Sequence, residues 1–167
     1  EVHVPGSLKP PVAAALVWLA GAPPGTRLLD PTCGAGTILV EGAHRDLIVM
    51  GGDIEPDAVA AARANVRASS VTGSIHRWDA RSLPLADGSA GCVVTNPPWG
   101  RKVEIDSDLD AFYAELGREI DRVLAPGGRA VVLTWAPDLV RTWRLTCEAE
   151  TEISLYGRKP FVMVLIR

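Results

Sequence analysis

The segment Thr95-Asn96-Pro97-Pro98-Trp99 follows directly on an apolar run ending in Val93 and Val94. Proline fixes φ and has no backbone N–H, so a Pro-Pro pair extends neither a helix nor a central strand. The first proline is itself held extended by the second. A stiff, donor-poor segment at a strand end presents the Asn96 side chain, the Pro97 carbonyl and the flat face of Trp99. A neutral aryl amine is a weak nucleophile because its lone pair is delocalised into the ring. Two acceptors facing its hydrogens favour a pyramidal nitrogen and free that pair. The Asn96 side-chain oxygen and the Pro97 carbonyl suit this task, and a base stacked on Trp99 gains about 1–3 kcal/mol. Alone, Pro-Pro-Trp also describes a rigid turn with a packed tryptophan.

Three other strand ends carry acids. Asp30 precedes Pro31-Thr32-Cys33-Gly34-Ala35-Gly36-Thr37. Gly34 and Gly36 permit a tight turn and close backbone approach, and the helix start behind them has free N–H groups. A lone two-glycine loop equally serves as a plain turn. A dinucleotide fingerprint would place a third glycine where Leu39 stands, and the Gly-Lys-Ser/Thr of a phosphate loop is absent. The acid before the loop suits a cationic or amine-bearing ligand. Asp53 can accept both hydroxyls of a ribose, or pair with a helix dipole. Asp79, after Trp78, can accept from an adenine amine or stand as a solvated loop acid.

The elements that position these residues follow from pattern. A helix is expected over Pro10–Gly21, proline early and glycine late. Strands are expected at Arg27–Asp30, Asp46–Asp53, Val71–Asp79, Ala90–Asn96 and Arg129–Trp135. Helices are expected at Thr37–Arg45, from Pro56 through Ala68, and at Leu109–Leu124, the last stopped by Pro126-Gly127-Gly128. The tail from Arg144 reads as two strands around Gly157-Arg158-Lys159-Pro160. Strands alternating with helices imply an α/β, Rossmann-like, mostly parallel sheet with helices on both faces. The closing strand pair adds an antiparallel edge. In such sheets ligands bind beyond the carboxyl ends of the strands, where Asp30, Asp53, Asp79 and Asn96 all fall.

Composition narrows the classes. With 167 residues, 47% of them apolar, the chain can bury a full core as one domain. No uninterrupted apolar run is long enough to span a membrane. Three scattered cysteines indicate a reducing compartment rather than a disulfide framework, and three histidines show no metal-ligand spacing. A net charge of −3 holds nucleic acid weakly. The chain lacks an initiator methionine and reads as a piece of a longer one.

Together these segments resemble the class I S-adenosylmethionine-dependent methyltransferases, and more closely the catalytic domain of the THUMP-associated RNA guanine-N2 methyltransferases. The resemblance runs through GSLKPPVAAALV, DPTCGAGTILVEGA, GGDIEPDAVAAARANV, WDARSLPL, TNPPWGRK and FYAELGREIDRVLAPGGRAVVLT. It implies seven strands and S-adenosylmethionine as cofactor. Asp30, Cys33, Gly34 and Gly36 would line its methionine part, Asp53 its ribose and Asp79 its adenine amine. Leu8, Lys9, Pro31, Thr37, Ile54, Ala80 and Asn96 complete the implied cofactor set. Asn96, Pro97, Pro98 and Trp99 would act on a target guanine in RNA, tRNA ahead of rRNA, with Trp99, Gly100 and Arg101 contacting substrate. Two positions depart from the family: Thr32 stands where a bulkier apolar residue is usual, and Trp99 where tyrosine is. No metal, no membrane, a cytoplasmic setting and an upstream THUMP region are the accompanying expectations. The motif is shared with adenine-N6 DNA and glutamine methyltransferases, and a non-catalytic RNA-binding module is the reading from another class. Arg101, Lys102, Arg158 and Lys159 read either as a phosphate rim or as solvated charges. Oligomeric state is not legible.

Overall fold

Apolar runs punctuated by glycine and proline alternate with amphipathic segments, and these pack as helices on both faces of one sheet. The structure, a computed structural model, describes residues 7–98, 109–155 and 157–167. In chain order its elements are α1 (Pro10–Leu19), β1 (Arg27–Asp30), α2 (Thr37–Ala43), β2 (Ile48–Asp53), α3 (Pro56–Ala68), β3 (Gly73–Arg77) and β4 (Ala90–Thr95). There follow α4 (Leu109–Val123), β5 (Leu124–Thr134), α5 (Pro137–Arg141), β6 (Thr146–Glu152) and β7 (Phe161–Ile166). Proline opens α1, α3 and α5, where the first N–H groups have no helical partner to lose. Asp57 in the first turn of α3 and Arg67 in its last complement the helix dipole.

The strand order is β3-β2-β1-β4-β5-β7-β6. The chain lays β2 and β3 to one side of β1 and then returns to pair β4 with its other side. This reversal opens a crevice at the carboxyl ends of β1 and β4, the standard ligand position in open α/β sheets. All pairings are parallel except those of β7, which runs antiparallel to both β5 and β6. The expected mostly parallel sheet with an antiparallel edge is therefore observed, with β7 one place in and β6 outermost.

Two details differ from the sequence expectation. The Pro126-Gly127-Gly128 turn does not stop α4, which ends at Val123; it lies inside β5. Pairing jumps from Ala90↔Leu124 to Cys92↔Arg129, and the extra residues loop out through Gly127 at φ +74. Its N–H is retained by the Arg167 carbonyl at 3.1 Å. The short helix α5 was not anticipated, because so brief a segment carries too little periodicity to be read.

Two cores sandwich the sheet. On one face α1, α2 and α3 bury Leu16, Leu39 and Ala62 against Leu28, Val94 and Leu133. On the other, Tyr113, Leu116 and Ile120 of α4 pack on Val93, Val132 and Met163. Each fully buried Leu, Ile or Val contributes roughly 1.5–3 kcal/mol. The long β3–β4 connection is fastened to α4. Arg122 donates to the carbonyls of Leu83 (3.0 Å) and Leu85 (2.7 Å), and Glu119 accepts the Leu83 N–H at 2.6 Å. That fastening holds the segment carrying Asp79 in place.

Candidate active site

Asp30 is the last residue of β1 and is 1% exposed. It accepts the Thr32 N–H at 3.2 Å and a hydrogen bond from the Thr95 side chain. The Thr95 hydroxyl in turn meets that of Thr32 at 2.8 Å. A hydroxyl has one proton. If Thr95 gives its proton to the carboxylate, Thr32 must donate to Thr95. The polar Thr32 is thereby accommodated by the residue preceding Asn96. Burial pushes the Asp30 carboxyl up to about 7; the Thr95 and Thr32 bonds oppose this and the Asp53 charge adds to it. Cys33, buried beside both acids, is pushed far above the ordinary thiol range, so it is a neutral thiol and not a nucleophile.

Asp53 ends β2 and braces the glycine loop. Its Oδ2 accepts the Gly34 N–H at 3.0 Å and its Oδ1 the Glu55 N–H at 3.1 Å. A carboxylate offers about four lone-pair directions, which leaves acceptors for two hydroxyls. Gly34 (φ +50) and Gly36 (φ +81) occupy left-handed conformations. A Cβ on Gly34 would meet open space, while one on Gly36 would press on the Ala62 Cβ at 3.1 Å. The first glycine thus faces a ligand space and the second lets α2 approach α3.

The loop is also held from outside the motif. Trp78 Nε1–H donates to the Pro31 carbonyl at 3.0 Å, and Asn65 Nδ2 to the Ala35 carbonyl at 3.0 Å. Sequence reading missed Asn65, Trp78 and Thr95 as positioning residues. Asn65 had a signal: it lies seven positions after Ala58 on the buried face of α3, and a polar side chain there needs a partner.

The loop donors are largely consumed. The N–H groups of Thr32, Cys33, Gly34 and Gly36 already bond Asp30, Gly52, Asp53 and Cys33. The crevice presents the carboxylates of Asp30 and Asp53, which suit a ligand bearing an amine cation and hydroxyls.

Asp79 lies beyond β3 with its carboxylate gripped by Arg81, through Nη2 at 2.7 Å and the backbone N–H at 2.9 Å. The Arg81 bond holds this carboxyl below the usual carboxylate range. Ile54, after Asp53, is exposed and Ala80 buried; Leu8 lies in the core, Lys9 is exposed and Thr37 opens α2 half-buried. Asn96 follows the last residue of β4, beside Asp30. Its Oδ1 is buried and has no hydrogen-bond partner among the described residues. Such an orphan costs about 1–3 kcal/mol, a strain characteristic of functional sites. Pro97 is buried and Pro98 half-buried. Trp99, Gly100, Arg101 and Lys102 lie outside the described residues. Among the described residues no His, Cys, Asp or Glu cluster could hold a metal, and no helix is long and apolar enough to cross a membrane.

Comparison with known proteins places the chain in a family. The UPF0020 family, described as RMKL-like, methyltransferase domain, matches residues 1–144. The tRNA (guanine(6)-N2)-methyltransferase of Thermus thermophilus is 36% identical over 140 residues, which cover 81% of this chain and 42% of that protein. The U6 snRNA (guanine-N(2))-methyltransferase THUMPD2 of Mus musculus is 32% identical over 130 residues, 75% of this chain and 24% of that protein. The crystal structure of TrmN from Thermus thermophilus superposes with a TM-score of 0.87 at 33% identity, over 97% of this chain and 50% of that one. The chain spans half or less of the length of these relatives. With the family match running from the first residues through α5, the chain belongs to the UPF0020 family of RMKL-like methyltransferase domains.

Proposed function

We propose that this domain transfers a methyl group from S-adenosylmethionine to the exocyclic N2 amine of a guanine in RNA. The observation that carries the reading is the buried, unpartnered Oδ1 of Asn96 at the end of β4, beside the Asp30–Asp53 acceptor pair. A buried acceptor with no partner among the described residues calls for a donor, and an aryl amine supplies one.

The acceptor-rich crevice fits the cofactor. Asp30 would take its amine cation, Asp53 the ribose hydroxyls and Asp79 the adenine amine. When bound, the cofactor supplies a methyl group already activated on a sulfonium. The protein's part is alignment and stabilisation of charge. The Asn96 oxygen and Pro97 carbonyl accept the two amine hydrogens, aim the lone pair and stabilise positive charge on nitrogen as the bond forms. The amine becomes acidic once methylated, and its extra proton leaves to water. The target guanine must be unstacked to reach this depth.

Relatives named for guanine-N2 methylation of tRNA and of U6 snRNA support RNA guanine as the substrate class, and tRNA is the substrate proposed here. The net charge of −3 supports a division of labour. A THUMP-type region of a longer cytoplasmic protein would supply most of the RNA affinity. Calorimetric titration should show micromolar binding of S-adenosylmethionine and none of NAD. Labelled methyl should then pass to tRNA in the full-length protein and be recovered as N2-methylguanosine. Recovery as N6-methyladenine or methylglutamine would replace the substrate; a folded domain that ignores the cofactor would end the proposal.

A further inference from the structure

The acids Asp79, Asp53 and Asp30 stand at the ends of β3, β2 and β1, Asn96 follows β4 in the middle, and the β6–β7 connection with Arg158 and Lys159 stands beyond β5. Phe161, the first residue of β7, pairs with Thr134, the last of β5, so this connection lies at the same end of the sheet as the site. Thr95 pairs with Val132. Trp135 therefore sits two positions further along its strand direction than Asn96, about 7 Å.

Arg158 is held in place here. Its N–H donates to the Leu155 carbonyl at 3.0 Å and its carbonyl accepts the Leu155 N–H at 2.8 Å. Gly157, at φ +72, makes that turn possible. The Arg158 guanidinium carbon lies 5.7 Å from the ring centroid of Trp135. The neighbouring Lys159 is spent on Glu152 at 3.1 Å. Arg81, Arg122, Arg129, Arg141 and Arg167 each pair with a carboxylate. Among the described residues no carboxylate lies within ion-pair distance of Arg158. An exposed guanidinium resting over an indole, with no carboxylate partner, keeps N–H groups available to a ligand. A guanidinium fork matches a phosphate bidentately.

We propose that Arg158, seated on Trp135, anchors the RNA strand by binding the backbone phosphate beside the target guanosine. The inference rests on the RNA reading above. An unstacked base enters the crevice while its phosphates stay at the rim, and the exposed turn is rim. The turn carrying Arg158 offers a guanidinium with no carboxylate partner among the described residues at this end of the sheet, and a phosphate of the RNA strand is placed there. The anchor sets how far the target nucleotide enters towards Asn96.

The test uses the full-length protein and unmodified tRNA, with binding followed by fluorescence anisotropy across a salt series. Arg158→Gln should reduce the slope of log K against log salt by about 0.7–0.9, the signature of one lost phosphate contact. It should raise the KM for tRNA roughly tenfold, as expected for losing one charge-assisted contact, and leave the S-adenosylmethionine Kd unchanged. Arg158→Lys keeps the charge and should restore the slope but only part of the KM. Trp135→Leu removes the seat and should raise KM while keeping the slope; its thermal midpoint checks folding. Arg158→Gln with wild-type slope and KM overturns the anchor and leaves the methyltransferase reading intact. The slope is read from binding alone, so it decides the anchor even if no RNA accepts methyl.

Discussion

Replacing Asp30 with asparagine should change the pH dependence of stability in a way that can be worked out beforehand. Burial raises this carboxyl from 3.8 to about 7 in the folded chain. Between those values the unfolded chain has released the proton and the folded chain retains it. Folding then takes up a proton, so stability falls as pH rises through this window. The contribution is fully present below about pH 4 and lost above about pH 7. At about 1.4 kcal/mol per tenfold difference in proton affinity, the loss is about 4 kcal/mol. The amide introduced by Asp30→Asn would still accept the Thr32 N–H and would offer its own N–H to the Thr95 hydroxyl, without ionising. The assay is urea denaturation without cofactor from about pH 4 to about pH 8. The wild type should lose stability relative to Asp30→Asn across that range, ending the less stable of the two. Parallel curves, or a variant that is weaker at about pH 8, would refute the burial argument. By the same linkage a cofactor whose amine cation meets Asp30 should bind more tightly as pH rises towards about 7.

Three further outcomes test other parts of the site. Asn96→Ala should abolish methyl transfer while calorimetry finds the cofactor Kd within about twofold of wild type, since only the amine acceptor is removed. Asp53→Ala should instead weaken cofactor binding first, because it also releases the Gly34 and Glu55 N–H groups. Gly52→Ala should destabilise by about 1–3 kcal/mol in denaturant melts. Its Cβ would meet the His76 carbonyl at 2.6 Å and the Trp78 ring at 2.5 Å, and intrinsic fluorescence should report the displaced indole.

Much of the fold was legible because its signals are local. Proline fixes where α1 and α3 begin, and the polar residues Asp30, Asp53 and Asn96 after short apolar runs mark the ends of β1, β2 and β4. The Pro-Gly-Gly turn misled because glycine after a helical pattern usually stops it. Here the helix had already ended at Val123, and β5 absorbs the turn as a bulge against β4. The short α5 stayed hidden for want of a full helical repeat. Asp79 was read as an acceptor for an adenine amine or as a solvated loop acid, and its pairing with Arg81 was not anticipated. A two-residue spacing does not reveal whether an arginine folds back.

By itself the sequence determined which chemical groups the chain can bring to a crevice, since residue type and strand-end position are set by neighbours along the chain. Tertiary structure decided what state those groups are in. Thr32 meets Thr95 across 63 positions, Trp78 holds Pro31 across 47, and Arg158 finds Trp135 only through the β5–β7 pairing. Hydrogen-bond satisfaction and burial depend on what surrounds an atom in three dimensions. Hence the raised Asp30 carboxyl, the unpartnered Asn96 oxygen and the seated Arg158 fork appear only once the sheet has assembled.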